Sequence, residues 1–446
     1  MLSHPTDASF VIDESSSSTY MHRPLSGRDY RTLILAALGG MLEFYDFVIF
    51  VFFTSVIGHL FFPPGVPDWL RQLQTFGIFA VGYFVRPVGG IVMAHFGDLL
   101  GRKKMFTLSV LLMSVPTLLI GLLPTFAQVG FLAPLLLLLM RILQGAAVGG
   151  EVPGAWVFVS EHVPRRHVGL ACGSLTGGLT AGILLGSLVA TFINTAFTSN
   201  EVTSFAWRIP FLAGGVFGIV AMYLRRWLEE TPVFRQMQAS RQLSSDSPLK
   251  TVLRLHRRGV ALSMALTWAL SAVIIVIILM MPALMQKNFH LAPGATLIGS
   301  STATVCLTVG CILAGALADR FGPRPVLMIG SVLLCVCFCA LYLALCSATS
   351  APVWLTLYAV TGFSVGVIGV IPFMMVQAFP PAVRFSGISF SYNVAYALFG
   401  GLTPILISLA SAVTVIAPVL YVSVLCVVAI AAAAAKPKSL LKNEPR

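Results

Sequence analysis

Charged residues are scarce in this sequence. Lys, Arg, Asp and Glu together make up 10% of its 446 residues, whereas about a quarter of a typical soluble protein is charged. The nucleotide-binding pattern GxxxxGK followed by Ser or Thr is missing, which argues against ATP hydrolysis. A nucleophile–base constellation is missing too. A soluble fold and an enzyme are therefore both disfavoured.

Cysteine is also sparse. The eight cysteines all fall within apolar stretches, and none belongs to a CxxC pair. Cys335, Cys337 and Cys339 are two residues apart, so on a helix they point in different directions. We therefore expect no metal site, no redox chemistry and no cofactor.

Apolar residues, in contrast, make up 57% of the chain, and the mean hydropathy is +0.91. Apolar runs of about 18 residues or more recur along almost the whole length, which is typical of membrane-spanning helices and unlike the alternating strands of an outer-membrane barrel. The sequence thus predicts an all-α membrane protein with twelve transmembrane helices in two pseudo-symmetric six-helix bundles. The predicted spans are 32–58, 72–95, 105–123, 130–158, 167–194, 207–226, 260–285, 294–317, 325–346, 352–378, 385–411 and 414–435.

Positive charge is divided unequally between the loops. Twelve spans put both termini on one side, and most of the 28 Lys and Arg residues fall there, against Arg71, Arg208 and Lys287 on the other side. The positive-inside rule then predicts that both termini are cytoplasmic, and we expect the chain to cross a bacterial inner membrane. This topology accounts for the net charge of +12, so we expect no nucleic-acid partner.

A polar, basic stretch separates the spans into six and six. The predicted domains are a flexible cytoplasmic tail (1–30), a six-helix bundle (31–228), a central cytoplasmic loop (229–258), a second six-helix bundle (259–435) and a short basic cytoplasmic tail (436–446). One loop pattern occurs once in each half, as GDLLGRKK from Gly97 and ADRFGPRP from Ala318. Duplicated halves with a binding site between them are a known transporter architecture.

These repeated loops resemble the signature loop of the major facilitator superfamily, which reads roughly G-x-L-A-D-R-x-G-R-K. Other blocks resemble the metabolite–proton symporter family, which includes permeases for 2-oxoglutarate, citrate, shikimate, proline and betaine. The blocks are EFYDF at 43–47, FVRPVGG at 84–90, RILQGAAVGGE at 141–151, WRIPF at 207–211 and VRFSGISFSYNVAYALFGGLTP at 383–404. The resemblance implies a secondary transporter whose binding site opens alternately to the two sides of the membrane.

In this superfamily the signature loop tends to lock one conformation through ion pairs. The resemblance assigns to gating the charged residues of the two copies, which are Asp98, Arg102, Lys103, Asp319, Arg320 and Arg324. The copies depart from the pattern at Leu99 and Pro323, where basic residues are usual, and this weakens the expected lock. The alternative is that these charges only anchor a tight cytoplasmic turn.

Five ionisable residues lie deep inside the predicted spans, and all belong to the first half: Glu43, Asp46, Arg86, Arg141 and Glu151. Ionised groups at such depth are costly and are usually functional. Three carboxylates and two arginines leave one net negative charge, which a single proton would neutralise. Glu43 and Asp46 are three residues apart on one helix face, where their mutual repulsion favours proton uptake.

We assign the coupling proton to Asp46 or Glu43, with Glu151 as the third candidate. We expect the two arginines to pair with these acids in the empty protein. One of them, Arg86 first, would hold a substrate carboxylate, because the planar guanidinium binds carboxylates bidentately. The alternative is a set of fixed ion pairs that orient the helices. The predicted substrate-binding residues are Arg86, Arg141, Tyr45, Gln144, Tyr392, Asn393 and Tyr396.

Together these features predict a proton-coupled importer of a small organic acid or a related hydrophilic metabolite. A zwitterion such as proline or betaine satisfies the same charges and is the first alternative. A proton-driven exporter of a product such as a siderophore, and a transporter-like receptor without flux, are further alternatives. The expected partners are a small-molecule substrate, protons and the lipid bilayer, and we expect a monomer.

Overall fold

The computed structural model describes residues 24–225, 227, 229–239 and 248–435. The predicted C-terminal tail, most of the predicted N-terminal tail and part of the central loop lie outside these ranges. The first long helix, α1 (Gly27–Phe52), begins before the predicted domain boundary at residue 31. It does so because the side chains of Ser26 and Asp29 form a reciprocal capping box at its first turn.

The rest of the first half consists mainly of long apolar helices. These are α2 (Asp68–Leu100), α3 (Arg102–Leu122), α4 (Leu132–His162), α5 (Val168–Ala196) and α6 (Arg208–Arg225). A short helix, Thr54–Phe61, follows α1 directly. The helical segment Ser199–Ala206 precedes α6 and forms with it a broken span that is bent by 44°.

The second half repeats this arrangement. Its long helices are α7 (Arg257–Phe289), α8 (Pro293–Phe321), α9 (Pro323–Cys346), α10 (Ala351–Gln377), α11 (Pro381–Ser411) and α12 (Ala417–Ala434). In the described part of the chain, eleven helices are each long and apolar enough to cross a membrane, and the broken span makes twelve. The predicted twelve-helix, all-α membrane fold is confirmed.

Three helices of the second half change their hydrogen-bonding pattern partway along. Ile275–Met280 in α7 and Tyr396–Gly400 in α11 are π-helical, and Gly366–Val370 in α10 is a 3-10 segment. Such segments interrupt regular α-helical bonding and often mark functional sites or hinges. The segment in α11 begins at Tyr396, which is one of the predicted site residues.

Glycine allows two pairs of helices to pack at backbone contact distance. Within the first half, a Cβ added at Gly145 of α4 would collide with the Gly82 carbonyl of α2. Between the halves, a Cβ added at Gly173 of α5 would lie 2.5 Å from the Cys311 carbonyl of α8. The first contact lies within one bundle, whereas the second joins the two halves.

The two halves meet where α5 packs on α8 and where α2 packs on α11. We call the side of the molecule on which α2 and α8 end the basic face. Near this face Gly169 of α5 packs on Gly315 of α8, and Gly97 of α2 faces the ring of Phe385 in α11. The structure is therefore closed at the basic face.

Candidate functional site

Arg86 lies in the middle of α2, and aromatic rings surround it. Its guanidinium carbon is 4.4 Å from the ring centroid of Phe47, 4.4 Å from that of Tyr83 and 4.8 Å from that of Tyr396. The side chain is 1% exposed. None of its three guanidinium nitrogens has a hydrogen-bond partner among the described residues. A buried guanidinium with free donors is well suited to receive an anionic group.

Arg141 of α4 also lies near the Phe47 ring, 4.9 Å from its centroid. It also lies 4.5 Å from the Phe50 ring and 4.9 Å from the Phe79 ring. One Nη donates a hydrogen bond to the Gln144 side-chain oxygen at 2.8 Å. Its Nε and other Nη have no partner in the described part of the chain. Gln144, predicted to be its neighbour, therefore anchors it.

The second half contributes two of the predicted tyrosines. The Tyr396 ring is stacked on the Tyr83 ring, with centroids 5.7 Å apart and planes 7° apart. The Tyr392 ring lies 5.3 Å from Tyr396 and meets Trp156 edge-on at 5.2 Å. The resulting arginine–aromatic cluster consists of Arg86, Arg141, Phe47, Phe50, Phe79, Tyr83, Trp156, Tyr392 and Tyr396. It bridges the two halves at their centre.

Asn393 does not belong to this cluster. Its side-chain nitrogen donates to the Gly149 carbonyl of α4 at 2.6 Å and to the Ser389 carbonyl of its own helix at 2.8 Å. The amide is thus occupied in holding α11 against α4. Asn393, which was predicted to bind the substrate, therefore lies at the contact between the halves.

Tyr45 faces away from the centre, which corrects its predicted place in the substrate site. Its hydroxyl donates to the Pro210 carbonyl of α6 at 2.9 Å, and its ring meets Phe217 edge-on. Residues four apart on α1 share a face, so Tyr45 and Ile49 are both buried on the α6 side. Tyr45 therefore anchors α1 to α6.

Asp46 is fully buried on α1, and its carboxylate fills the space over Gly214 of α6. Thr117 of α3 borders the same space and accepts a 2.7 Å hydrogen bond from Gln144. Neither carboxylate oxygen has a hydrogen-bond partner among the described residues. The expected pairing of Asp46 with the arginines is absent from this conformation, because consecutive helix residues point about 100° apart and Phe47 takes the direction of the arginines.

The other two acids are also buried. Glu43 is 2% exposed and lies one turn before Asp46 on α1. Glu151 is 3% exposed and lies ten residues beyond Arg141 on α4, roughly 15 Å nearer the basic face. The predicted charged set is thus divided, with its arginines in the cluster, Asp46 facing α3 and α6, and Glu151 nearer the basic face.

The two acids of the repeated loop make equivalent contacts between the halves. The Asp98 carboxylate at the end of α2 accepts from the Ser386 N–H at 3.0 Å and from its hydroxyl at 2.7 Å. The Asp319 carboxylate at the end of α8 accepts from the N–H groups of Gly169 at 2.6 Å and Leu170 at 2.7 Å. Each acid therefore caps the N-terminus of a helix in the opposite half, where N–H groups are free and the dipole is positive.

The described basic residues of the loop make other contacts. Among the described residues, no ion pair involves Lys103, Arg320 or Arg324, and the Arg102 side chain lies outside the described residues. The Lys103 backbone N–H bonds the Glu230 carboxylate at 3.2 Å, and Arg320 stacks on its neighbour Phe321. The helix caps of Asp98 and Asp319 thus join the halves at this face, and the expected ion-pair lock stays a prediction.

An ion pair does join the halves nearby, between residues that the sequence did not single out. Arg384 at the start of α11 contacts the Glu161 carboxylate near the end of α4 at 3.1 Å. The other oxygen of Glu161 accepts from the Thr231 hydroxyl at 2.9 Å, and this bond ties the central loop to the same contact. In the sequence, the signal for this ion pair was the presence of opposite charges at the basic-face ends of two spans.

Sequence reasoning also missed the rings that α2 brings to the cluster. Phe79 and Tyr83 are four residues apart, and Arg86 follows three residues later, so all three lie on one helix face. That spacing was a usable signal. Phe47 and Trp156 carried no comparable signal, because aromatic residues cover almost every direction of α1 and Trp156 joins the cluster only through Tyr392.

Comparison with known proteins agrees with this architecture. The family model for the Major Facilitator Superfamily matches residues 36–404 and 262–445. The proline/betaine transporter of Salmonella typhimurium is 30% identical over 418 residues, which cover 90% of this chain and 82% of that protein. A putative proline/betaine transporter of Staphylococcus aureus (strain COL) is 30% identical over 375 residues, which cover 84% of this chain and 80% of that protein.

Solved structures of the same fold superpose over nearly the whole chain. The proton:xylose symporter XylE bound to 6-bromo-6-deoxy-D-glucose gives a TM-score of 0.76 at 17% identity, covering 94% of this chain and 95% of that one. The transporter FucP in its outward conformation gives 0.67 at 15% identity, covering 91% and 99%. These likenesses establish the arrangement of the helices.

Proposed function

The chain belongs to the major facilitator superfamily and is a secondary transporter, and on that premise we propose that it imports a small zwitterion of the proline–betaine class together with a proton. The observation that carries this proposal is the arginine–aromatic cluster. It combines buried guanidinium donors, which have no hydrogen-bond partner among the described residues, with aromatic rings at the junction of the two halves. The names of the relatives support the zwitterion over the simple organic acid, which is the second candidate.

The carboxylate of such a substrate would bind the unbonded nitrogens of Arg86. A guanidinium forms two parallel bonds with a carboxylate, and the burial of Arg86 strengthens them. Arg141 adds positive charge near the same Phe47 ring and stays anchored by Gln144. An organic acid would use these contacts equally well, so the arginines select for the carboxylate and do not distinguish the two candidates.

The ammonium group of a zwitterion would lie against the rings of Tyr83 and Tyr396. Ring faces attract cations, and aromatic cages are the usual binding sites for quaternary ammonium groups. In this structure the Arg86 guanidinium lies against these two rings. A bound carboxylate would draw the guanidinium toward itself and free the rings for the second charge of the substrate. This use of the rings favours a zwitterion over an acid.

Proton coupling is proposed for Asp46, with Glu43 beside it and Glu151 as a separate candidate. Asp46 has no hydrogen-bond partner among the described residues, so its charge depends on what surrounds it. The chain of hydrogen bonds from Arg141 through Gln144 to Thr117 ends beside it. When a substrate carboxylate neutralises the arginines, the ionised form of Asp46 loses electrostatic support and proton uptake becomes favourable.

Alternation would require the contacts at the basic face to break. We place this face in the cytoplasm, as the positive-inside rule predicts, so that the closed face blocks the inner side of the membrane. Release of Asp98 from α11, of Asp319 from α5 and of the Glu161–Arg384 pair would open the site to the cytoplasm. The central loop would move with α4, to which Thr231 binds it.

The test is uptake into proteoliposomes with an imposed pH gradient and a valinomycin clamp on the membrane potential. The panel contains glycine betaine, proline, 2-oxoglutarate and citrate. We expect external acidity to stimulate uptake of the two zwitterions. Stimulated uptake of the acids alone would favour the second candidate. Acid-driven loss of a preloaded compound would reverse the proposed direction and indicate an exporter.

A further inference from the structure

A short helix, Pro248–Leu255, lies just before α7 and contributes no residue to the arginine–aromatic cluster. It packs against α2, α7 and α11, and its buried residues are Pro248 and Val252. On its outer side, Leu253 is 41% exposed and Leu255 is 70% exposed. We call it the surface helix. It is held along one edge and presents leucines on the other.

An open surface depression of about 430 Å³ lies beside the surface helix, and we call it the cavity. Among the described residues its lining consists of Leu249, Lys250, Leu253, Arg254 and Arg257. Residues four apart share a helix face, so the two leucines form one row and Lys250 with Arg254 forms the adjacent row. The cavity thus has an apolar wall and a cationic wall side by side.

Arg257 lies at the C-terminal end of the cationic wall. Its Nε donates to the Leu253 carbonyl at 3.0 Å, which fixes the guanidinium at the end of the surface helix. Among the described residues, no carboxylate pairs with Lys250, Arg254 or Arg257. Residues 248–258 contain these three cations and Arg258 but no acid. No acid among the described residues therefore compensates the positive charge of the cavity.

The cavity adjoins the start of a membrane-spanning helix. Helix α7 begins at Arg257, which lines the cavity, and continues as an apolar span to Phe289. We therefore expect the cavity to lie at the depth of the lipid headgroups. Basic residues immediately beside a transmembrane helix meet the phosphates of anionic lipids, while leucines at that depth contact acyl chains.

We propose that this cavity binds an anionic phospholipid, with its phosphate on Lys250, Arg254 and Arg257 and an acyl chain along Leu249 and Leu253. Charge complementarity selects an anion, and the leucine row selects one that carries a hydrocarbon chain. A soluble phosphate would satisfy the cations and leave the leucines uncovered. The proposal depends on the membrane-spanning fold and is independent of the substrate proposed above.

Native mass spectrometry of the full-length protein provides the test. The protein is held in micelles that contain phosphatidylcholine, and phosphatidylglycerol is titrated in. The triple variant Lys250→Gln/Arg254→Gln/Arg257→Gln is compared with Arg165→Gln/Arg166→Gln/Arg235→Gln, which removes the same charge from exposed positions elsewhere in the chain. Each basic residue near an anionic headgroup contributes about fivefold in affinity, so we expect a loss of roughly a hundredfold in the first variant and less than about threefold in the control.

Two further arms identify the ligand. Leu253→Gln makes part of the apolar wall of the cavity polar without changing its charge. We expect this substitution to weaken retention of phosphatidylglycerol about threefold to tenfold. Soluble glycerol phosphate should not displace the lipid, because it lacks the chain. Displacement by glycerol phosphate, or equal retention of phosphatidylglycerol by the parent and the cavity variants, would overturn the proposal.

Thermal unfolding in phosphatidylcholine shows whether the triple variant is as stably folded as the parent. If the triple variant unfolds below the parent, Arg254→Gln alone decides the question, with an expected loss of about fivefold. Lipid retention is measured without transport. A failed uptake assay with normal lipid retention would therefore reject the proposed substrate and leave the lipid site intact.

Discussion

Arg86 and Arg141 come from different helices and share the ring of Phe47, with their guanidinium carbons 4.4 and 4.9 Å from its centroid. Two buried positive charges this close repel each other, and little water is present to screen them. The rings offset part of that cost through cation–π contact, while Asp46 faces α6 instead. A substrate carboxylate bound between the arginines would supply the missing counter-charge, and this is the physical basis of the proposed affinity.

We predict that Arg86→Gln lowers kcat/KM for uptake by about tenfold to a hundredfold. A hydrogen bond to a charged group contributes about 1.5–3 kcal/mol, and the variant loses both the charge and the forked geometry. Arg86→Lys keeps the charge without the forked geometry, so its kcat/KM should lie between those of the parent and of Arg86→Gln. Initial uptake rates over a range of substrate concentrations measure the effect. Arg166→Gln, at an exposed position, is the control. Parent-like kinetics in Arg86→Gln would show that Arg86 does not bind the substrate.

The Tyr396 ring provides a test of substrate class. Tyr396→Phe keeps the ring face and should transport betaine within about threefold of the parent, whereas Tyr396→Leu should lose about threefold to thirtyfold in apparent affinity. The loss should be larger for betaine than for an organic acid, because only betaine carries a cation to the ring. Competition against one labelled substrate measures both affinities. Equal losses for both classes would indicate that the ring only packs against Tyr83.

The sequence predicted the fold more reliably than the orientation of individual side chains. Twelve apolar runs and the loop repeat were sufficient for the architecture, because a chain in lipid must satisfy its backbone within helices. The depths of Arg86 and Arg141 followed from helix rise alone. Tyr45 was misplaced because its direction depends on the Pro210 carbonyl, which lies 165 residues away in the sequence.

The contacts that close the basic face were also only partly predictable from the sequence. Asp98 and Asp319 were identified from the repeated loop, but their partners are backbone N–H groups at the starts of α11 and α5. Backbone groups have no signature in a sequence, since every residue except proline carries one. The Glu161–Arg384 pair joins residues 223 positions apart, and no local spacing predicts such a contact.

Asp46→Asn should separate exchange from accumulation. Asparagine resembles the protonated acid in shape and charge, so substrate should still exchange across the membrane at about the parent rate. Uphill accumulation driven by a pH gradient should fall at least tenfold, because the variant carries no transferable proton at this site. Counterflow and gradient-driven uptake in the same proteoliposomes measure the two activities. Glu43→Gln is the companion variant, and uphill accumulation by both variants at the parent level would reject the assignment of the proton to this pair.

Gly173 of α5 offers a way to perturb the closed basic face without altering any charge. A Cβ there would lie 2.5 Å from the Cys311 carbonyl of α8, and overpacking of this kind costs about 1–3 kcal/mol. We therefore predict that Gly173→Ala shifts the equilibrium away from the closed basic face by about fivefold to a hundredfold.

Spin-label distances between positions 166 and 320 measure this shift, because both residues are exposed and belong to opposite halves. Labels carried on non-natural amino acids leave the eight cysteines in place. In Gly173→Ala we expect a longer distance to gain population at the expense of the shorter one. Gly294→Ala is the matched control, since a Cβ at that position of α8 meets no atom within 4 Å. If the distances in Gly173→Ala matched those of this control, the contact between α5 and α8 would not be the surface along which the halves separate.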